Sequence, residues 1–192
     1  MNWSELKRDF DGNILMVKGY KAFASDGTNM YGKTLDEGKK YHTDGEIVFG
    51  QHGNGLHLAL YLQDCLRYCT LNSKELVENP VIAQVIATGK IIQSGSPDND
   101  YTGYSDLFVC SDLEIKKYLS REEIIKYGLS LSYESRERFI SYIQLSLEEM
   151  MLFWDKFGIG NIILLMRQFG LEYEEAKAVS DDVKILKNLY RR

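Results

Sequence analysis

The chain has 192 residues, 44% of them apolar, 12% aromatic and 27% charged, proportions that exclude a disordered, fibrous or collagenous protein and allow one or two globular domains. Twenty-three Lys and Arg against 28 Asp and Glu leave a net charge of −5; without a local basic cluster that sign repels phosphate backbones, so no nucleic-acid partner is expected. Uninterrupted apolar runs such as Ile162 to Met166 fall far short of the roughly 20 residues a bilayer span needs, and Met1 to Gly12 is charged where a signal peptide is apolar. The expectation is a cytoplasmic protein with no membrane partner.

In chain order, Ile14 to Phe23 reads as a strand interrupted at Gly19, followed by a turn at Asp26-Gly27. A second strand is expected around Tyr41 to Phe49. The loop Gly50 to Gly55 then opens onto a short strand, Leu56 to Ala59. Leu62, Cys65, Leu66 and Cys69 recur at helical spacing and predict a helix. Val81 to Ala87 and Lys90 to Gln93 read as β on either side of Gly89. Leu107-Phe108-Val109-Cys110 is a continuous apolar run of strand length and predicts a central strand buried on both faces. Cys65, Cys69 and Cys110 are odd in number and lack a secretory signal, so they read as reduced core thiols. With His42, His52 and His57 they match no common zinc spacing, and no metal is expected.

Composition shifts near residue 120, which divides the chain into an α+β sheet domain, 1–119, and a helical subdomain, 120–192. Ser120-Arg121-Glu122-Glu123 fits a capping box and starts a short helix to Tyr127. Phe139, Ile140, Ile143, Leu147, Met150, Met151 and Trp154 keep a three-and-four spacing that predicts one long amphipathic helix, ended by Gly158 and Gly160. Asn161 to Phe169 reads as a buried helix, and Ala176, Val179, Val183, Leu186 and Tyr190 as a last amphipathic one ending at Arg191-Arg192. From Arg121 onward there are 11 basic and 12 acidic residues, without the basic excess of a groove reader. The fold class is therefore α+β: a small mixed or antiparallel sheet followed by a helical layer docked on it. The apolar area of Ile162 to Met166 and of Met150, Met151 and Trp154 suggests a homo-oligomer through these helices.

No GxxxxGK[ST] loop, GxSxG elbow or HExxH helix is present, and the glycines at 50, 53 and 55 lead into a strand rather than the helix of a dinucleotide fingerprint. Two resemblances remain. Gly19-Tyr20-Lys21-Ala22-Phe23, Gly32-Lys33, Glu37-Gly38-Lys39-Lys40-Tyr41, Gly55-Leu56-His57-Leu58 and Tyr68 resemble an uncharacterised family of phages and bacteria. The likeness spans about residues 17 to 119 and departs at Ala22 and Leu58-Ala59; it implies no known activity.

Tyr20-Lys21-Ala22, Gly53 to Ala59, Leu62 to Cys69, Val85 to Lys90 and Ser105 to Cys110 also follow an order that resembles the ADP-ribosyltransferase fold, in its poly(ADP-ribose) polymerase branch. That resemblance implies a cleft for NAD between two half-sheets. Lys21 would fall at the ribose-fixing position, His57 near nicotinamide and Asp106 at the catalytic carboxylate, with Gly55, His57, Tyr68 and Tyr101 around the dinucleotide. All three depart from the His, Tyr and Glu of that branch. Read without the resemblance, Lys21 is an exposed strand lysine, His57 a core residue bonded to a backbone carbonyl, and Asp106 a cap or a solvated carboxylate. Tyr101, Tyr104 and Tyr68 would line a pocket if the loop Gly95 to Gly103, with its polar run Asp98 to Gly103, folded over the cleft.

Two function classes follow. One is a non-enzymatic protein-binding module, phage or mobile-element encoded, that acts through a protein partner and needs no cofactor. The alternative is a mono-ADP-ribosyltransferase, or a degenerate NAD-binding relative of one, with NAD as substrate. Convergence of Lys21, His57 and Asp106 on one concave site is what separates them.

Overall fold

The computed structural model describes residues 3–29, 32–50, 53–66, 68–69, 76–94, 106–154 and 160–190. Its strands are β1 (Glu5–Arg8), β2 (Ile14–Phe23), β3 (Lys40–His42), β4 (Leu56–Ala59), β5 (Val81–Gln93) and β6 (Leu107–Tyr118); its helices are α1 (Leu62–Leu66), α2 (Arg121–Ser130), α3 (Tyr133–Ile140), α4 (Leu147–Trp154), α5 (Gly160–Phe169) and α6 (Tyr173–Tyr190). All strand pairings are antiparallel, and the fold is α+β with C-terminal helices.

β2 is unbroken at Gly19, contrary to the sequence expectation. A Cβ at that position would lie 2.3 Å from the carbonyl oxygen of Ala59, so the residue that reads as a breaker is what lets β4 approach. β2 pairs with β5, β5 with β6, β6 with β4, and β4 returns to β2 through the single pair Tyr20–Ala59, closing a circuit of pairings. β6 is central, between β5 on one side and β4 and β3 on the other. Its residues Leu107 to Cys110 are buried on both faces, as the apolar run predicts, and the strand continues to Tyr118. β5 is one strand rather than two, because a register shift between Thr88 and Ile91 absorbs Gly89.

Two elements are shorter than their patterns suggest. β3 stops at His42 instead of spanning Tyr41 to Phe49: Asn54 Nδ2 donates to the carbonyls of Asp44 and Glu46, and Val48 N donates to Asn54 O, folding that stretch into a loop. α1 stops at Leu66, where Tyr68 N and Cys69 N turn to Cys65 O and Leu66 O in tighter bonds.

One face of the strands carries Val17, Phe23, Leu58, Ala83, Val85, Phe108, Leu113 and Ile115 in a single buried cluster. The other face supplies Tyr20, Ala59, Ile82 and Leu107 to a second cluster with Ile124, Phe139, Phe153, Leu165 and Ala176. The helical layer is thus docked on the sheet. Met150, Trp154 and Leu165 are buried in that core, whereas Leu152, Phe169, Tyr173 and Val179 are exposed. Among the described residues no helix is long and apolar enough to cross a membrane.

α2 carries the predicted capping box between Ser120 and Glu123. The long helix expected from Phe139 to Trp154 is two helices. Between them Gln168 of α5 takes over the backbone: its Oε1 accepts from Leu145 N at 2.8 Å, and its Nε2 donates to Ile140 O and Ile143 O at 3.1 and 2.9 Å. Ser146 and Glu149 form a second capping box at the start of α4. Arg121 ties the layers together, forking onto both oxygens of Glu149 and reaching the carbonyls of Glu78 and Gln144. Gly158 and the pair Arg191-Arg192 lie outside the described residues.

Candidate functional site

The seam between β2 and β4 holds two of the sequence-predicted site residues. Leu60 N donates to Asp106 O, so the even-numbered residues of β4 bond to β6, and His57 and Ala59 turn their carbonyls toward β2. Past the Tyr20–Ala59 bridge the two strands have no further pairing. Lys21 fills the gap: its Nζ donates to His57 O at 2.9 Å, in the place of a strand N–H. Lys21 is therefore not the exposed strand lysine expected from its position but a partly buried one, with Nζ 5.8 Å from the centre of the Phe23 ring and no carboxylate partner among the described residues. Burial pulls its pKa below the usual lysine value, with the Cys65 and Cys110 thiols opposing.

The His57 ring meets Phe49 edge-on, 5.7 Å between centroids. Its Nε2 is buried and makes no hydrogen bond among the described residues; the ring bonds instead to the backbone of Gly50 and Gly55, in keeping with a core histidine held by backbone. Burial, then the charge of Lys21, lowers the imidazole pKa to about 4, while the backbone of Gly50 and Gly55 works the other way. His57 is a neutral ring at neutral pH. Gly55 is needed where it stands: its φ is +137°, and a Cβ would lie 2.3 Å from Val109 Cγ2.

Asp106 is placed elsewhere. The residue opposite His57 is Val109, so Asp106, just before the start of β6, stands three residues back, about 10 Å of extended chain. Tyr68 follows α1 and is 50% exposed; Tyr101, Tyr104 and the loop 95–105 lie outside the described residues. The structure thus brings Lys21 to the backbone of His57 and joins the Asp106 carboxylate to neither. The three cysteines are free. Burial raises Cys65 well above the usual thiol value and pushes Cys69 and Cys110 to about 12, so all three are protonated and poor nucleophiles at neutral pH. Among the described residues no three His, Cys, Asp or Glu side chains are grouped to hold a metal ion.

Sequence reasoning passed over a second constellation, on the β3–β6 edge. His42 Nδ1 lies 2.7 Å from Asp112 Oδ1 and Nε2 3.3 Å from Asp44 Oδ1. Ser111 Oγ donates to Asp112 Oδ2 at 2.5 Å and accepts from Lys90 N at 3.0 Å. The hydroxyl points at the carboxylate rather than at the imidazole, so no base activates it, and the arrangement pins β3 to β6 instead of forming a nucleophile. The hydrogen bond that the His42 ring donates to the Asp112 carboxylate raises the pKa of His42. Only the register that sets His42 opposite Asp112 reveals the pair.

Residues 17–127, more than half of the chain, match the domain of unknown function DUF7666. The chain belongs to this family. The matched segment of the DUF7666 domain runs from within β2 into α2 and contains Lys21, His57, Asp106 and the His42–Asp112 pair. The expected membership of an uncharacterised family holds at that level. No curated protein and no solved structure matches the chain.

The two histidines give this DUF7666 protein a testable pH dependence. His57 has a folded pKa of about 4 against a usual 6.5, so the unfolded chain takes up the proton first as pH falls. The contribution of His57 is complete above pH 6.5 and is lost as pH drops toward 4, by up to about 3 kcal/mol. His42 has the opposite sign: its raised pKa contributes stability below 6.5 that is lost as pH rises through the folded value. In urea titrations from pH 7 to 4, His57→Gln is expected to flatten the acid loss, whereas His42→Gln leaves it in place. An acid limb that is the same in wild type and His57→Gln would mean the ring is hydrated in the folded state.

Proposed function

We propose that this DUF7666 protein is a non-enzymatic, phage- or mobile-element-encoded module that acts through contacts with a protein partner. The observation that carries this reading is the engagement of Lys21 by the carbonyl of His57, with Asp106 about 10 Å of extended chain away. Glycosyl transfer from NAD needs a cation, a stacking group and a carboxylate on one substrate, and a misplacement of about 1 Å already costs roughly a hundredfold in rate. A neutral His57 and a lysine occupied by backbone do not supply that set.

The single pairing between β2 and β4 favours the second reading, a mono-ADP-ribosyltransferase relative that binds NAD where the strands part. Self-association through the helical layer is compatible with the first reading, by way of exposed Leu152, Phe169 and Val179 rather than buried Met150 and Trp154. The test is incubation with labelled NAD and a lysate of the source organism, comparing wild type with Asp106→Ala. No transfer by either, together with a protein retained by the wild type, is the expected result. Label transferred by the wild type and abolished by Asp106→Ala would overturn it.

A further inference from the structure

The hairpin that joins β1 to β2 is a fixed turn with an aromatic ring at its tip. Asp9 N donates to Asn13 O and Gly12 N to Asp9 O. The Asp9 carboxylate accepts from Asn13 N at 2.8 Å and from Asn13 Nδ2 at 2.9 Å. Arg8 closes the turn onto Gly12 O at 2.8 Å and anchors it to β5 through Gln93 Oε1 at 2.7 Å. On this frame Phe10 is entirely exposed, at 104%, and Leu15 is 55% exposed. The register skips Leu15 at an irregularity between Lys7 and Arg8, a device that re-aims side chains.

A loose turn would let Phe10 fold back onto apolar surface; this one holds the ring in water. A rigid aromatic on a preorganised turn loses little conformational freedom on binding, and such residues dominate interface energetics. We propose that this tip is the surface through which the protein binds its partner, with Phe10 entering an apolar pocket rimmed by basic side chains on another protein. The inference rests on the protein-binding reading above. Charge selects the occupant: Asp9 and Asp11 flank Phe10 in sequence, against one cation, Arg8, whose guanidinium is bound to Gly12 O and Gln93 Oε1, and the chain carries a net −5. Two carboxylates in the turn oppose insertion into a bilayer, and a second copy would bring like charges together. The Asn13 hydrogen bond keeps the Asp9 carboxyl below its usual pKa, so it is charged at neutral pH.

The experiment places p-benzoylphenylalanine at position 10, cross-links in a lysate of the source organism and purifies the protein captured. Its affinity is then measured for wild type, Phe10→Ser, Asp11→Lys and Leu152→Ser. Phe10→Ser is expected to bind about 30-fold more weakly while melting at the wild-type temperature. Asp11→Lys should lose affinity by an amount that shrinks as salt rises, and Leu152→Ser, on α4, should bind as wild type does. If Phe10→Ser binds the captured partner as tightly as wild type, the tip is not the contact and the protein-binding reading survives. Cross-links only to a second copy, or binding only to phosphatidylcholine–phosphatidylglycerol vesicles, also overturn the proposal. A wild-type protein that retains no partner removes both.

Discussion

Replacing Val109 with Asp is expected to abolish the cooperative unfolding transition of the folded protein. Val109 is fully buried in β6, pairs with His57 on β4 and Ile92 on β5, and sits where a Cβ on Gly55 would meet its Cγ2 at 2.3 Å. The basic groups nearby are already committed: Lys21 Nζ is held by His57 O, and the buried His57 ring is neutral, so the new carboxylate would be charged without a free partner or forced to take up a proton. Either outcome costs at least about 4 kcal/mol, a large share of the 5–15 kcal/mol typical of a domain. Circular dichroism during heating checks it; a sharp transition near the wild-type temperature would mean that β6 does not run through the centre of the sheet.

Gln168→Leu is the second large effect. The substitution keeps the volume of the side chain but strands Leu145 N, Ile140 O and Ile143 O, the backbone groups that Gln168 bonds at the break between α3 and α4. Leaving buried backbone groups unpaired costs about 1–3 kcal/mol each, and partial relaxation toward a continuous helix would recover some of it. The expected loss is about 3–5 kcal/mol in urea denaturation, against about 1 kcal/mol or less for an exposed control such as Lys177→Leu. A loss within the control range would show that residues 141–146 satisfy their own hydrogen bonds.

These two substitutions differ in how far their grounds can be read without the structure. The apolar run Leu107 to Cys110 declares its own burial, since four consecutive apolar residues suit a strand covered on both faces. The break at residues 141–146 is half legible. Ser146-Leu147-Glu148-Glu149 repeats the pattern of Ser120-Arg121-Glu122-Glu123, but the three-and-four apolar spacing runs straight across it and argues for one helix. The partner that decides between them, Gln168, is 23 residues from Leu145 in sequence, beyond the reach of any local pattern.

Features that depend on a residue and its near neighbours were legible in the order of amino acids. That order placed the bounds of β2 at Ile14–Phe23, though not its continuity through Gly19, and β4 at Leu56–Ala59, the cap at Ser120, the helix through residues 161–169, the α+β class and the helical layer that follows. Alternation, helical period and capping chemistry act within a turn or a strand, and composition carries the rest. The tertiary structure alone decided which groups meet. Lys21 reaches the carbonyl of a residue 36 positions away because β2 and β4 part after a single pair. His42 finds Asp112, 70 positions away, because the register of β3 on β6 sets them opposite each other. Asp106 stands apart from His57 because a strand advances about 3.3 Å per residue and the pairing puts Val109, not Asp106, across from it. Strand register is a property of two segments at once, and no single segment carries it.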